Sequence, residues 1–277
     1  MSLYASIKPK DKKDILVATG IPDGAQKEMN FYWRDTSEEI VKEKIRLFKG
    51  RDFKPVPIKM KNQIFSAYIV GQSGSGKTTF ASQLIDDLMN KDKSIKNIFY
   101  ITAQDAGILD DSMKALYRRI NKVKKRDKKT GKIEEIEEPQ LIRLDIYNPK
   151  LYEMEMSTFQ NSVFLMDDID HPDRKVEKSL DTFVKQILTM GRKLNISVCF
   201  LKHVALDRSK SKTQLMESQN ICVFAHHNYR DSAQVMEKYL GYDKDKIQEI
   251  TRLPSRFVYM RKTIPNMYIT KTQMELM

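Results

Sequence analysis

The chain is poor in cysteine: Cys199 and Cys222 are its only two in 277 residues. Each lies in a short apolar run, 197–201 and 221–224, so both read as buried strand residues in a reducing compartment. A disulfide framework is excluded. Four scattered histidines and two cysteines make no zinc site, and the adjacent His226 and His227 lack the i,i+4 spacing of a helical metal clip. No stretch approaches the roughly 20 apolar residues of a membrane helix, so no membrane insertion is expected. The N-terminus has a charged start and no long apolar core, which argues against a secretory signal. A cytoplasmic or cytoplasm-like location follows. Internal repeats and a helix-turn-helix signature are also missing. Asn90-Lys91-Asp92-Lys93 lacks the final acid of a guanine-binding box, which argues against a GTPase.

What is present is a large core and a basic surface. Hydrophobic residues make up 40% of the chain, enough to bury one large α/β domain with extensions, and charged residues make up 31%. The formal net charge is +12, which favours a polyanionic partner, either nucleic acid or an acidic membrane surface.

From about Ile64 onward, apolar runs alternate with amphipathic stretches. Phe65–Val70, Asn97–Thr102, Leu141–Asp145, Ser162–Met166, Ile196–Leu201 and Asn220–Ala225 read as strands. Thr78–Met89, Met113–Ile120, Lys178–Met190 and Asp231–Leu240 read as helices. Arg256–Arg261 and Met267–Thr270 read as a closing pair of strands. The alternation predicts an α/β fold with a mostly parallel central sheet flanked by helices. Residues 1–62 are expected to form an N-terminal extension packing on the core. It would hold a basic, mobile stretch at Lys10–Lys13, a short strand at Ile15–Ala18 and a helix over Ser37–Phe48, broken afterwards by Pro55 and Pro57. Residues 63–277 would form the main domain, with a charged insertion over 118–139. Arg118–Lys132 carries nine Lys or Arg against one Asp, and Glu134–Glu138 adds four acids. That composition predicts a hairpin with its turn at Thr130-Gly131.

Gly71-Gln72-Ser73-Gly74-Ser75-Gly76-Lys77-Thr78 is the phosphate-loop pattern G-x4-G-K-T, placed after an apolar strand and before an amphipathic helix. Glycines let the backbone wrap an anion without Cβ clashes, and successive N–H groups with the helix N-terminus point positive dipoles at phosphates. The loop Gly71, Ser73, Gly74, Ser75, Gly76, with Lys77, Thr78 and Thr79, is therefore the expected ATP cradle. Lys77 would reach the β- and γ-phosphates and Thr78 would place its hydroxyl on Mg²⁺. About 90 residues later, Val163–Met166 is apolar and Asp167-Asp168 follows. The first acid is expected to hold magnesium and the second to orient and deprotonate the attacking water. Asp170 is a weaker candidate, before the loop that His171-Pro172 opens.

Residues 191–203, GRKLNISVCFLKH, resemble the FtsK–HerA superfamily of DNA-pumping ATPases. In that family a Gly-Arg pair ends the helix after the second acidic motif, and a buried strand then ends in a polar sensor. With Asp167-Asp168, the resemblance is to the genome-packaging ATPases of poxviruses, other large DNA viruses and virophages. It covers roughly residues 64–242 and implies a P-loop NTPase core of the additional-strand, RecA-like type. It implies that Arg192 reaches the γ-phosphate of a neighbouring subunit. It implies that His203 is the sensor where the family usually has Gln, with Lys202 as the competing residue. Arg230 could be a second sensor. The implied protein is a ring-forming, magnesium-dependent motor on non-specific double-stranded DNA, with capsid or portal-vertex proteins as further partners and a viral factory or virion as its place. The Arg118–Lys132 run is the candidate DNA-gripping loop. Two rivals stand beside this reading: a P-loop nucleoside or nucleotide kinase, and an ATP-gated DNA-binding scaffold.

Overall fold

The computed structural model describes residues 2–34, 47–59, 63–103, 111–120, 123–126, 133–136, 141–169, 173–206, 208–224 and 229–277. In chain order the first elements are β1 (Ser2–Ser6), β2 (Ile15–Pro22), β3 (Met29–Arg34), β4 (Leu47–Pro55), β5 (Ser66–Val70), α1 (Lys77–Lys91), β6 (Asn97–Thr102) and α2 (Asp111–Ile120). Next come β7 (Val123–Arg126), β8 (Ile133–Ile136), β9 (Leu141–Leu144), α3 (Lys150–Glu153), a 3-10 turn at Met156–Phe159, β10 (Ser162–Asp167), α4 (Arg174–Leu194) and β11 (Ile196–Lys202). The last are α5 (Arg208–Glu217), β12 (Asn220–Val223), α6 (Tyr229–Leu240), α7 (Lys244–Arg252), β13 (Val258–Arg261), β14 (Met267–Thr270) and β15 (Gln273–Leu276). The chain divides into two compact units. The first is Met1–Lys59, Phe65–Lys77 and Lys202–Met277; the second is Met60–Ile64 and Thr78–Leu201.

The second unit carries the parallel sheet that alternating strands and helices demand. Its strands lie in the order β11-β10-β6-β9, every pair parallel. β10 is buried from Ser162 to Met166, which explains its unbroken apolar run. Four rings lock this unit. Phe164 lies 5.2 Å from Phe99, 5.3 Å from Phe159 and 5.7 Å from Phe183 between ring centroids. Phe183 comes from α4, whose apolar positions Leu180, Phe183, Val184 and Ile187 fall on one buried face. Asp173 starts that helix by accepting from the backbone N–H groups of Lys175 and Val176. Asn195 ends it with φ 55°. Gly191-Arg192 therefore lies in the last turn of the helix, which ends two residues after Arg192.

The charged insertion forms the antiparallel hairpin β7–β8, in which Lys124 stands opposite Glu135 and Lys125 opposite Glu134. The expected turn, Thr130-Gly131, lies outside the described residues.

The first unit is mostly antiparallel, in the order β1-β3-β2-β4-β15-β14-β13-β12-β5, with β12·β5 its parallel pair. The expected helix over Ser37–Phe48 falls at 37–46 outside the described residues, and its last two residues, Leu47 and Phe48, open β4 instead. Strand wins there because Leu47 and Phe48 pair with Glu275 and Met274 of β15. The Phe48 ring also meets Phe31 at 5.0 Å. The basic stretch Lys10–Lys13 belongs to a turn organised by Asp14. The Asp14 carboxylate accepts from the backbone N–H of Asp11 at 2.6 Å, from the Tyr4 hydroxyl, and from Arg34 through Nε at 2.5 Å and a terminal guanidinium nitrogen at 2.7 Å. Among the described residues no helix is long and apolar enough to cross a membrane.

Candidate nucleotide site

In the first unit, β5 delivers the chain into the phosphate loop. Gly71 N–H donates to Lys202 O at 3.1 Å and Phe224 N–H donates to Val70 O at 2.9 Å, so the loop starts with its entry held by hydrogen bonds. Gly74 and Gly76 adopt φ of 74° and 100°, a region that side chains with Cβ rarely enter. Gly71 meets a different demand. A Cβ built there would lie 2.8 Å from both Phe224 Cβ and Ser75 Oγ. Around Gly74 a Cβ would meet nothing within 4 Å, so the space over the loop is open.

Lys77 is buried, and its ammonium donates to Gly71 O at 2.6 Å, to Gln72 O at 3.3 Å and to His203 Nδ1 at 3.2 Å. For His203 to accept there, Nδ1 must carry a lone pair, which places the proton of the neutral ring on Nε2. Of the two rival sensors, His203 meets Lys77 with its ring and is itself exposed, whereas Lys202 is buried and presents its backbone carbonyl to Gly71. Ser75 Oγ is buried without a hydrogen-bond partner. Such an orphaned hydroxyl in a left-handed glycine turn fits an anion that brings acceptor oxygens into the loop.

In the second unit, Thr78 and Thr79 open α1. The Thr79 hydroxyl lies 2.7 Å from that of Ser112 on α2. Asp167 is the last ladder residue of β10, in register with Thr102 and Leu201. Its Oδ2 accepts from the Tyr100 hydroxyl at 3.2 Å. Asp168 then leaves the strand with φ 45°, while its N–H donates to Leu201 O at 3.2 Å. A non-glycine residue in that region costs about 1 kcal/mol, and such strain gathers where a side chain must be aimed. Both carboxylates are half-buried. A threonine hydroxyl with carboxylates is an all-oxygen donor set, which suits Mg²⁺ retaining several waters. Among the described residues no group of three or more His, Cys, Asp or Glu forms a ready metal cage.

Arg192 is exposed on the last turn of α4. Arg230 is exposed on the first turn of α6. Asp170 lies outside the described residues. Tyr100 and Phe224 escape sequence reading altogether. Each looks like an ordinary strand aromatic, and only the register and the loop packing show what they touch. The two cysteines are buried as expected, and burial pushes the Cys199 thiol up to about 12 and raises that of Cys222 as well.

Residues 56–238 match the family model of the poxvirus A32 protein. The uncharacterized protein V3 of Sputnik virophage is 24% identical over 216 residues, covering 77% of this chain and 76% of its own length. Among solved structures, B204, the DNA-packaging ATPase from Sulfolobus turreted icosahedral virus, is similar with a TM-score of 0.48 and 13% identity, over 78% of this chain and 98% of that one. The cytoplasmic domain of the Thermomonospora curvata type VII secretion ATPase EccC is similar with a TM-score of 0.48 and 11% identity, over 97% of this chain and 29% of that one. The chain belongs to the poxvirus A32 protein family.

Proposed function

We propose that this chain hydrolyses ATP to drive double-stranded DNA into a viral capsid, as a homo-oligomeric ring. Family membership supports the packaging part. The hydrolytic part is carried by one observation: a left-handed glycine turn that buries both the Lys77 ammonium and an unpartnered Ser75 hydroxyl. Lys77 exchanges its bonds to Gly71 O and Gln72 O for β- and γ-phosphate oxygens while keeping His203 as an acceptor, and the N–H groups of the loop hold the rest of the polyphosphate. Thr78 and Asp167 are the residues assigned to magnesium, with the Tyr100 hydroxyl fixing the Asp167 carboxylate. The ion, when bound, neutralises charge on the phosphates. Asp168 is the general base. It takes a proton from the water whose oxygen bonds to the γ-phosphorus, while the bond from that phosphorus to the β–γ bridging oxygen breaks and ADP leaves with the electron pair. His203 reports the position of Lys77. Arg192, exposed at the end of α4, acts on the γ-phosphate held by an adjacent subunit.

The +12 net charge supports a sequence-independent grip on DNA phosphates. The basic run Arg118–Lys132 is the assigned contact, capsid or portal-vertex proteins are the further partners, and the site of action is the viral factory or the virion. The test is ATP hydrolysis by the purified chain with and without linear double-stranded DNA, beside Lys77→Ala and Asp168→Asn. The expected result is DNA-stimulated phosphate release that both substitutions abolish. Hydrolysis indifferent to DNA would remove the motor, and transfer of phosphate to a nucleoside would make the protein a kinase.

A further inference from the structure

Beside the phosphate loop stands an aromatic residue, Phe224, that no loop motif contains. Phe224 is the first residue after β12 and is buried, and its N–H donates to Val70 O, prolonging the parallel β12·β5 ladder to the residue before the loop. A Cβ at Gly71 would lie 2.8 Å from Phe224 Cβ and 3.2 Å from its Cγ. At the other end of the loop, a Cβ at Gly76 would lie 3.8 Å from Phe224 Cε1. One side chain therefore borders the space beside both the first and the last glycine of the loop. On its other flank the loop is held by the 3.1 Å bond from Gly71 N–H to Lys202 O.

We infer that Phe224 is a positioning residue for nucleotide binding, its ring being the floor that sets the height and curvature of the backbone from Gly71 to Gly76. The inference rests on the reading of this loop as the ATP site. The physical need is plain. A cradle of backbone N–H groups works only if the groups converge on one anion, and glycine supplies no side chain with which the loop could support itself. A rigid flat ring supplies that support at low entropic cost, since it has only two side-chain torsions. Shortening it leaves a void under the loop into which the glycines sink. The loss falls on phosphate affinity first, because N–H groups that no longer converge on one anion hold it less tightly.

The experiment is equilibrium titration of the full chain with a fluorescent ATP analogue, with Tm measured alongside. Wild type is compared with Phe224→Leu and with Phe31→Leu, which shortens a fully buried ring in the β3 core of the same unit. Both substitutions lower Tm. Phe224→Leu alone is expected to weaken nucleotide binding, by roughly tenfold, and to raise KM by more than it lowers kcat. Binding by Phe224→Leu within twofold of wild type would overturn the inference, as would equal weakening in Phe31→Leu. Should Phe224→Leu not fold, the same comparison is read on Phe224→Met, which refills much of the volume without a ring. A wild-type chain that binds no nucleotide would overturn the ATP-site reading itself, and the inference with it.

Discussion

Lys77 places its ammonium 2.6 Å from Gly71 O and 3.2 Å from His203 Nδ1, so an incoming phosphate competes with bonds already made. A side-chain carbonyl could accept from Lys77 as Nδ1 does. His203→Gln is therefore expected to keep most of the ATPase rate, and His203→Ala to lose about tenfold to a hundredfold, the worth of one hydrogen bond to a charged group. Steady-state hydrolysis by the two variants decides this, and equal loss in both would remove the acceptor role. Arg192 calls for a different readout because its assigned partner is another subunit. Arg192→Ala should still bind nucleotide yet lose DNA-stimulated turnover by about a thousandfold. Mixed with wild-type chains it should inhibit them more than in proportion to its share. A merely proportional loss would assign Arg192 to the C-terminal dipole of α4 alone.

At the scale of elements, the strand that presents Asp167 depends on its aromatic support. Phe164→Ala removes a ring with three aromatic neighbours and is expected to destabilise by about 3–5 kcal/mol in chemical denaturation. The turn after β1 depends on Asp14, whose carboxyl is held well below the usual carboxylate range, chiefly by the Arg34 guanidinium. Because the folded value is depressed, its contribution is whole at neutral pH and is lost as pH falls below about 4 toward the folded value. The gap in Tm between wild type and Asp14→Asn should therefore be widest near pH 7 and narrow on strong acidification. A gap that does not vary with pH would remove the ion pair as its cause. Cys199 and Cys222 lie within buried strands with raised thiol pKa values. Neither should react with a thiol reagent at neutral pH until the protein unfolds.

For the whole molecule, the +12 charge sets the expectation for DNA. Binding should weaken linearly on a log–log plot against salt concentration, with a slope reporting the phosphates contacted. Neutralising Lys124, Lys125 and Arg126 together should flatten that slope by up to about three. The register tempers the figure, since two of these positions stand opposite Glu135 and Glu134. A slope unchanged in the triple variant would move the DNA contact off the hairpin.

The residues legible from sequence are those whose physics is local. Gly71 to Thr78 must be contiguous because a cradle of consecutive N–H groups is made by consecutive residues, and Asp167-Asp168 must follow an apolar run because a buried strand carries them to its end. The parallel strands and their helices were legible for the same reason, through their periodicity. β1, β3, β4, β15, α3, α5 and α7 were not read as such, being short, irregularly patterned or polar. Pairings such as Lys49 with Gln273 join residues on far-separated stretches of chain, and no local pattern marks them. The ring of Phe224 beneath Gly71, the hydroxyl of Tyr100 on Asp167 and the imidazole of His203 on Lys77 are of that kind too. Each is a contact between distant positions, settled by how strands align and side chains fill space, and so belongs to the tertiary structure alone.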